Sequence, residues 1–142
     1  MKSESYKINR IGLNNLPKLM VPIKLTNPDN GKEFCTEALI DTGAEKSIFP
    51  SMTVRMTGRD FQKTKSNLVI NNGLGGKKEC YEHDFIVQIM SKGFKEVIWA
   101  SGAILIDCCE DLKSTPLLGV KNILENLRIE INYPTGELSI HA

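Results

Sequence analysis

The sequence lacks several features that would assign it to a class of protein at once. Neither charge is in excess, since 18 basic residues stand against 17 acidic ones. That balance gives no electrostatic reason to expect a nucleic acid or an anionic membrane as a partner. The longest apolar run, Val97–Ile106, is about ten residues and far too short to span a bilayer. We therefore expect neither nucleic acid nor a membrane as a partner.

The N-terminal residues also lack the apolar segment and small-residue cleavage site of a secretory signal, so a cytoplasmic location is the default expectation. In that compartment Cys35, Cys80, Cys108 and Cys109 are expected to be reduced thiols. Two alternatives stay open. Cys80, His83 and the adjacent cysteine pair could bind zinc, or a cysteine could act with a histidine as a hydrolase. We expect no metal or other cofactor, because adjacent cysteines chelate one tetrahedral ion poorly.

What the sequence does contain is a series of short strand-like segments separated by glycine- and proline-rich turns. The strands are predicted at Lys18–Leu25, Lys32–Ile40, Lys65–Ile70, Tyr81–Met90, Glu96–Ile106, Arg128–Asn132 and Glu137–Ala142. Pro22 confines the first of these to a sheet edge or a bulge. Gly119–Leu127 is the one convincing helix, with apolar residues at 120, 123, 124 and 127. This pattern predicts an all-β, closed barrel with one short C-terminal helix.

The chain length suits one domain. Residues 1–16 are polar and mixed, and we interpret them as an N-terminal arm that precedes a domain of residues 17–142. Such an arm could cover a binding cleft until it is removed.

One segment, "ALIDTGAEKSIFP" (Ala38–Pro50), carries an acid out of an apolar strand into a tight turn and back into apolar sequence. Asp41 in this position is either a turn-forming aspartate at a strand end or a reactive group. Gly43 allows the backbone to approach a ligand closely.

A single carboxylate is a weak base, whereas two carboxylates that share a proton supply one base and one acid. Such a pair can activate water and protonate a carbonyl oxygen. Because the chain holds a single Asp-Thr-Gly tripeptide, a second carboxylate would have to come from a second copy across a two-fold axis.

Three segments in order resemble landmarks of the retropepsin-like aspartic proteases. Ala38–Pro50 resembles the active-site loop of that family. "NNGLGG" (Asn71–Gly76) resembles its glycine-rich flap, although an ordinary hairpin tip is an alternative. Pro116–Ile140 resembles its apolar-apolar-glycine stretch, short helix and closing strands. The resemblance implies a retropepsin-like barrel that acts as a homodimer and hydrolyses an extended polypeptide without a metal.

The resemblance also implies roles for individual residues. Asp41 would be the catalytic carboxylate, and Thr42 would hydrogen-bond its counterpart in the second copy. Gly43 and Ala44 would line the floor of the cleft, and the Gly43 N–H would help to hold the carboxylate. The flap would be formed by Gly73, Leu74, Gly75 and Gly76, and the loop would rest on Leu117, Leu118 and Gly119.

The sequence allows two further interpretations, one of the dimer interface and one of the function. Glu137–Ala142 could supply an interface strand for the dimer. The same dimeric fold could also bind a peptide or small ligand without cutting it, because fold does not determine function.

Overall fold

Twelve strands account for more than half of the residues that a computed structural model describes, which are 2–62, 68–71, 78–110 and 115–142. The strands are β1 (Ser3–Lys7), β2 (Asn9–Ile11), β3 (Leu16–Lys18), β4 (Met20–Thr26), β5 (Glu33–Ile40), β6 (Ile48–Pro50), β7 (Leu68–Asn71), β8 (Lys78–Met90), β9 (Val97–Cys109), β10 (Leu117–Leu118), β11 (Arg128–Asn132) and β12 (Glu137–His141). The one α-helix in the described residues is α1 (Ser51–Met56). The predicted mostly-β class is confirmed.

The strands form three sheets. The largest has the order β4-β5-β10-β6-β9-β8-β7, and β4 also pairs with β8, so this sheet curls back towards itself. The second, here called the terminal sheet, has the order β1-β12-β11. The third is the β2–β3 hairpin, and the predicted boundary after residue 16 falls inside β3. The first and last strands, β1 and β12, are thus neighbours in the terminal sheet.

The β4–β5 hairpin follows from its turn chemistry. The Asn27 side chain accepts a hydrogen bond from the Asp29 N–H at 2.9 Å, and Gly31 adopts a φ of +73°. An Asx turn followed by a residue in the left-handed region reverses the chain within a few residues. The two strands then pair from Met20↔Leu39 to Thr26↔Glu33, which confirms the predicted hairpin.

Pro22 shows how the sheet accommodates a residue without an N–H. It pairs with Glu37 of β5 on one side, whereas the β4–β8 ladder begins only at Ile23. No β8 residue therefore pairs with Pro22. The proline is confined to a one-sided position in the ladder, as a missing donor requires.

The core is built from the inward-facing residues of these strands. Side chains with no exposure come from the large sheet and from the terminal sheet, and among them are Val21, Ile23, Leu25, Phe49, Phe85, Val87, Ile89, Leu138 and Ile140. Most of them alternate along their strands with more exposed residues. One continuous apolar cluster thus joins the terminal sheet to the body of the molecule.

The predicted helix at Gly119–Leu127 is wrong. The α-helix lies instead at Ser51–Met56, and the predicted segment contains only a 3₁₀ turn, Leu124–Asn126. The N–H groups of Val120 and Lys121 donate to Ala44 and Glu45, and Asn122 adopts a φ of +67°. These contacts divert the start of the segment from a helical path, although Ile123 and Leu124 are buried as the apolar pattern indicates.

The prediction of four reduced thiols is also wrong. Cys80 of β8 and Cys109 of β9 are register partners and form a disulfide. Cys108 points to the other face of β9, where it is a free, buried thiol, and Cys35 is free and exposed. Because two of the four candidate zinc ligands are bonded to each other, the zinc alternative fails as well. Burial, with Asp107 as a secondary cause, raises the pKa of the Cys108 thiol far above its usual range.

The terminal sheet excludes Glu137–Ala142 as an open interface strand. Both edges of β12 are occupied within the chain, by β1 on one side and by β11 on the other. Across the described residues, no helix is long and apolar enough to cross a membrane.

Candidate active site

Asp41 follows directly after β5 and begins a loop that leads into β6 at Ile48. The short strand β10 lies between these two strands, parallel to β5 and antiparallel to β6. The Asp41 N–H donates to the Leu118 carbonyl at 3.0 Å, so the ladder of β10 extends onto the aspartate itself. The backbone of Asp41 is therefore fixed from beneath by a fully buried strand.

The loop is also closed by its own hydrogen bonds. The Ala44 N–H donates to the Asp41 carbonyl at 3.1 Å, and the Gly43 N–H donates to the Asp41 carboxylate oxygen Oδ1, also at 3.1 Å. The side chain of Asp41 is half-buried, while Thr42 is exposed. A backbone donor that holds one carboxylate oxygen orients the second oxygen for another partner.

Gly119 allows β10 and the loop to approach closely. A Cβ atom at this position would lie 2.4 Å from the carbonyl carbon and oxygen of Lys46. Its N–H donates to the Ser47 hydroxyl at 2.8 Å, and Ser47 is only 4% exposed. No side chain fits here, so the glycine is required by the contact and not by its φ angle.

The next two residues continue the contact along the loop. The Val120 N–H donates to the Ala44 carbonyl and the Lys121 N–H to the Glu45 carbonyl, each at 2.9 Å. Backbone bonds from residues 118–121 therefore support the loop from Asp41 to Glu45, and the Ser47 side chain extends that support.

The structure places most of the predicted site residues together. Asp41, Thr42, Gly43 and Ala44 form one tight loop, and Leu117–Gly119 lie beneath it as the resemblance implies. The predicted bond from the Gly43 N–H to the carboxylate is present. Ser47 is a further residue of the site that the sequence did not predict. The one indication of its role is a small polar residue placed directly before the apolar Ile48–Phe49 pair.

The predicted flap residues Gly73, Leu74, Gly75 and Gly76 lie outside the described residues. The strands that would carry a flap are present, since β7 pairs with β8 from Leu68↔Tyr81 to Asn71↔Lys78. Cys80 lies at the base of this hairpin and is bonded to Cys109, and β9 pairs in turn with β6. The base of the hairpin is thus joined covalently to the layer of strands that carries the loop.

Residues 2–62, 68–71, 78–110 and 115–142 contain no group of three or more His, Cys, Asp or Glu side chains that could hold a metal ion. The chemistry that these residues offer is that of a positioned carboxylate with backbone donors around it.

The fold resembles that of a known protease. A crystal structure of a retropepsin-like aspartic protease from Rickettsia conorii matches with a TM-score of 0.61 and 16% sequence identity, covering 98% of this chain and 91% of that one. No protein-family model matches the sequence, and no curated protein matches it. At this identity the similarity establishes the fold alone, so the chain has a fold of the retropepsin-like type.

Proposed function

We propose that this protein is a homodimeric aspartic endopeptidase that hydrolyses peptide bonds of an extended polypeptide. The observation that carries the proposal is the position of Asp41. Asp41 is half-buried and lies directly after β5. Its carboxylate is held by the Gly43 N–H, in a loop that β10 supports from below. An ordinary surface turn would not need support of this kind. The retropepsin-like fold supports the same conclusion.

The reaction needs two Asp41 carboxylates, one from each copy, that share one proton. The ionised carboxylate accepts a proton from a water molecule, whose oxygen attacks the peptide carbonyl carbon. The protonated carboxyl group donates its proton to the carbonyl oxygen, and a tetrahedral diol forms. As the diol collapses, the first carboxyl group donates the proton that it took from water to the leaving nitrogen, and the second carboxylate takes a proton from a diol hydroxyl. The C–N bond then breaks to give a carboxylic acid and an amine, and the pair again holds one shared proton. The exposed Thr42 hydroxyl, next to Asp41, is suited to a hydrogen bond with the other copy's loop.

The terminal sheet offers the second copy an open edge. Ala142 donates to the Lys2 carbonyl and Ile8 donates to the Gly136 carbonyl, so alternate residues of β12 turn their backbone groups towards β1. The residues between them face β11, and their partners there are Arg128, Glu130 and Asn132. The N–H and C=O groups of Ile129 and Ile131 consequently point away from the sheet.

We propose that β11 pairs with β11 of the second copy across the two-fold axis. Antiparallel pairing of one strand with its own copy is self-complementary, as a two-fold interface requires. The side chains of Ile131 and Tyr133 at this edge are 37% and 49% exposed, so contact would bury apolar surface. β11 also begins a few residues after residues 119–121, which bond to the active-site loop.

The substrate would lie extended in the cleft between the loop and the flap hairpin, held by backbone pairing. Residues Asp41, Gly43 and Ala44 would contact it from below, and Gly73–Gly76 from above. This arrangement selects unfolded or extended segments rather than folded proteins.

The decisive experiment compares the protein with an Asp41→Asn variant on reduced, unfolded casein between about pH 4 and 7, where a shared proton is available. We expect Asp41→Asn to lower the cleavage rate by about 1,000-fold or more, far more than any loss of folded protein from a change of about 1 kcal/mol in unfolding free energy could explain. Asp60→Asn, an exposed aspartate outside the loop, is the matched control and should cleave normally.

Specific activity should also fall on dilution, because a monomer holds a single Asp41. Cleavage that survives Asp41→Asn removes this residue from the mechanism. A wild-type dimer that binds peptide but releases no product supports a non-catalytic binding module instead.

A further inference from the structure

A pocket of about 400 Å³ lies beside the active-site loop. Lys46 and Ser47 of the loop form one wall, and Lys121 and Asn122, which follow β10, form the adjoining wall. Glu82 of β8 and residues 103–107 of β9 form the opposite side. Because Gly119 and Lys121 bond to the loop, the first two walls are one unit that is fixed relative to Asp41.

The pocket lies between the two elements that would enclose a substrate. The loop that begins at Asp41 borders it on one side. On the other side is β8, which begins at the predicted flap and pairs with β7 there. If the proposed function is correct, on which this inference rests, a peptide lying between loop and flap would pass the mouth of this pocket at a distance from the bond that is cut.

Two lysines line this space, and neither forms an ion pair with the residues that the structure describes. Lys46 and Lys121 are both exposed, and neither takes part in a salt bridge or side-chain hydrogen bond within residues 2–62, 68–71, 78–110 and 115–142. The two acidic residues of the lining, Glu82 and Asp107, each interact with another group, and they are half-buried and 5% exposed respectively. The cations are therefore the charged groups most accessible to a ligand.

The remaining lining suits a side chain with a short apolar stem. Ile104 is half-buried and Ile106 is buried in the wall formed by β9. The lysine stems can lie along such a wall while their ammonium groups reach the mouth. The methylene groups of an incoming glutamate would contact the isoleucines, and its carboxylate would lie between the two ammonium groups.

We propose that this pocket binds an acidic side chain of the polypeptide substrate, and that Lys46 and Lys121 determine specificity for glutamate or aspartate at that position. The lysines take no part in the bond-breaking step. They add binding energy for substrates that carry a carboxylate at the matching distance from the cut bond.

The test uses pools of short synthetic peptides in which one position at a time is fixed as Glu, Gln or Lys. For the wild-type protein we expect one position at which kcat/KM is about three- to tenfold higher for Glu than for Gln, the size that two partly exposed ion pairs provide. The preference should shrink in about 1 M salt, where the screening length is about 3 Å. The Lys46→Gln, Lys121→Gln double variant should lose it, so that its kcat/KM becomes equal for the Glu and Gln pools.

A matched control removes the same charge elsewhere. Lys92 and Lys95 are exposed on the turn that joins β8 to β9, at the other end of these strands from Glu82 and Asp107. The Lys92→Gln, Lys95→Gln variant should keep the full preference for Glu. Loss of the preference in this control would mean that net charge, and not the pocket, selects the substrate.

A binding measurement separates this proposal from the proposed function. The Asp41→Asn variant is titrated with the fluorescein-labelled Glu and Gln pools, and binding is followed by anisotropy. Cleavage by wild type without any preference for Glu overturns the pocket assignment alone. Tighter binding of the Glu pool without cleavage supports the pocket and overturns the endopeptidase. A protein that neither binds nor cuts any pool overturns both.

Discussion

The active-site loop and the terminal sheet are stabilised in different ways. The loop is fixed by contacts within its own chain, since the Asp41 N–H donates to the Leu118 carbonyl, and the N–H groups of residues 119–121 donate to the Ser47 hydroxyl and to the Ala44 and Glu45 carbonyls. The terminal sheet is well packed on one face, where Leu138 and Ile140 have no exposure, but its β11 edge is open. The loop thus has its geometry without a second copy but lacks half of the proposed chemistry. The sheet has no chemistry of its own but has the edge at which we propose that a second copy pairs.

Substitutions in the two regions should therefore have different effects. Changes beside the loop should lower stability and activity together, because the loop is part of the continuous fold. Changes at the open edge should lower assembly, and with it activity, while each protomer remains folded.

The largest expected effect on stability comes from the disulfide that joins β8 to β9, in the same sheet as the active-site loop. Replacing Cys80 and Cys109 with serine releases a bridge that closes a sequence separation of 29 residues. Loop-closure entropy predicts a loss of about 3–4 kcal/mol in the free energy of unfolding. Urea denaturation measures this loss, and hydrogen exchange should show that β8 and β9 open before the terminal sheet does.

The control for this change is Cys35→Ser, which alters an exposed free thiol and should shift stability by less than about 0.5 kcal/mol. Equal stability of the double variant and the parent protein would show that the bridge does not constrain the unfolded chain.

The next largest effect is expected from Gly119→Ala, which tests whether the loop is as tightly enclosed as the contact implies. The new methyl group would meet the Lys46 carbonyl at 2.4 Å and displace the loop or β10. Overpacking of this kind costs about 1–3 kcal/mol, and a displaced Asp41 should lower kcat by about 100-fold.

Gly102→Ala provides the matched comparison, because its Cβ would meet nothing within 4 Å. It should leave kcat unchanged. A Gly119→Ala variant with normal kcat would show that the position of Asp41 does not depend on β10.

At the open edge, Ile131→Pro removes an N–H that points away from β12 and so spares the ladder within the chain. We expect the dissociation constant of the dimer to rise about tenfold or more, equivalent to about 1.4 kcal/mol, with a matching loss of activity at low concentration. Sedimentation velocity across a dilution series measures this constant.

Ser5→Pro makes the same change on β1, at the other edge of the terminal sheet, where the Ser5 N–H also points outward. Dimerisation that weakens in Ser5→Pro and not in Ile131→Pro would place the interface at β1.

The smallest expected effect concerns the attachment of the terminal sheet to the body. The Tyr6 hydroxyl donates to the Met90 carbonyl at 2.7 Å, and Tyr6→Phe should cost about 1 kcal/mol. Burial, followed by the nearby Glu4 and Glu37 carboxylates, raises the pKa of Tyr6 far above its usual range.

A raised pKa in the folded state has a definite sign for stability. Below about pH 10 the phenol is neutral in both states, and its contribution is fully present. Above that pH the unfolded chain loses the proton while the folded protein retains it, so stability falls as pH rises. The alkaline decline should be shallower in Tyr6→Phe. An unchanged slope would mean that other groups cause the decline.

Strand positions were largely predictable, because an alternating pattern depends on local residues and on one buried face. Arg128–Asn132 was predicted to the residue and Glu137–Ala142 to within one residue, and Asp41 lies directly after a strand as its apolar flanks predict. The helix predicted at Gly119–Leu127 does not form, because the N–H groups of Val120 and Lys121 bond to a loop that is distant in sequence. The prediction of four reduced thiols was wrong because the register of β8 and β9, which one sequence does not reveal, pairs Cys80 with Cys109.

By itself the sequence determined the mostly-β class, the hairpin turns and the carboxylate at a strand end, since each of these depends on neighbouring residues. Only the tertiary structure decided that Leu118 bonds to Asp41, that Gly119 approaches Lys46, and that β12 lies between β1 and β11 with both of its edges paired. These contacts join segments far apart along the chain, and the free energy that selects them comes from burial of the whole core. A local pattern cannot specify such contacts.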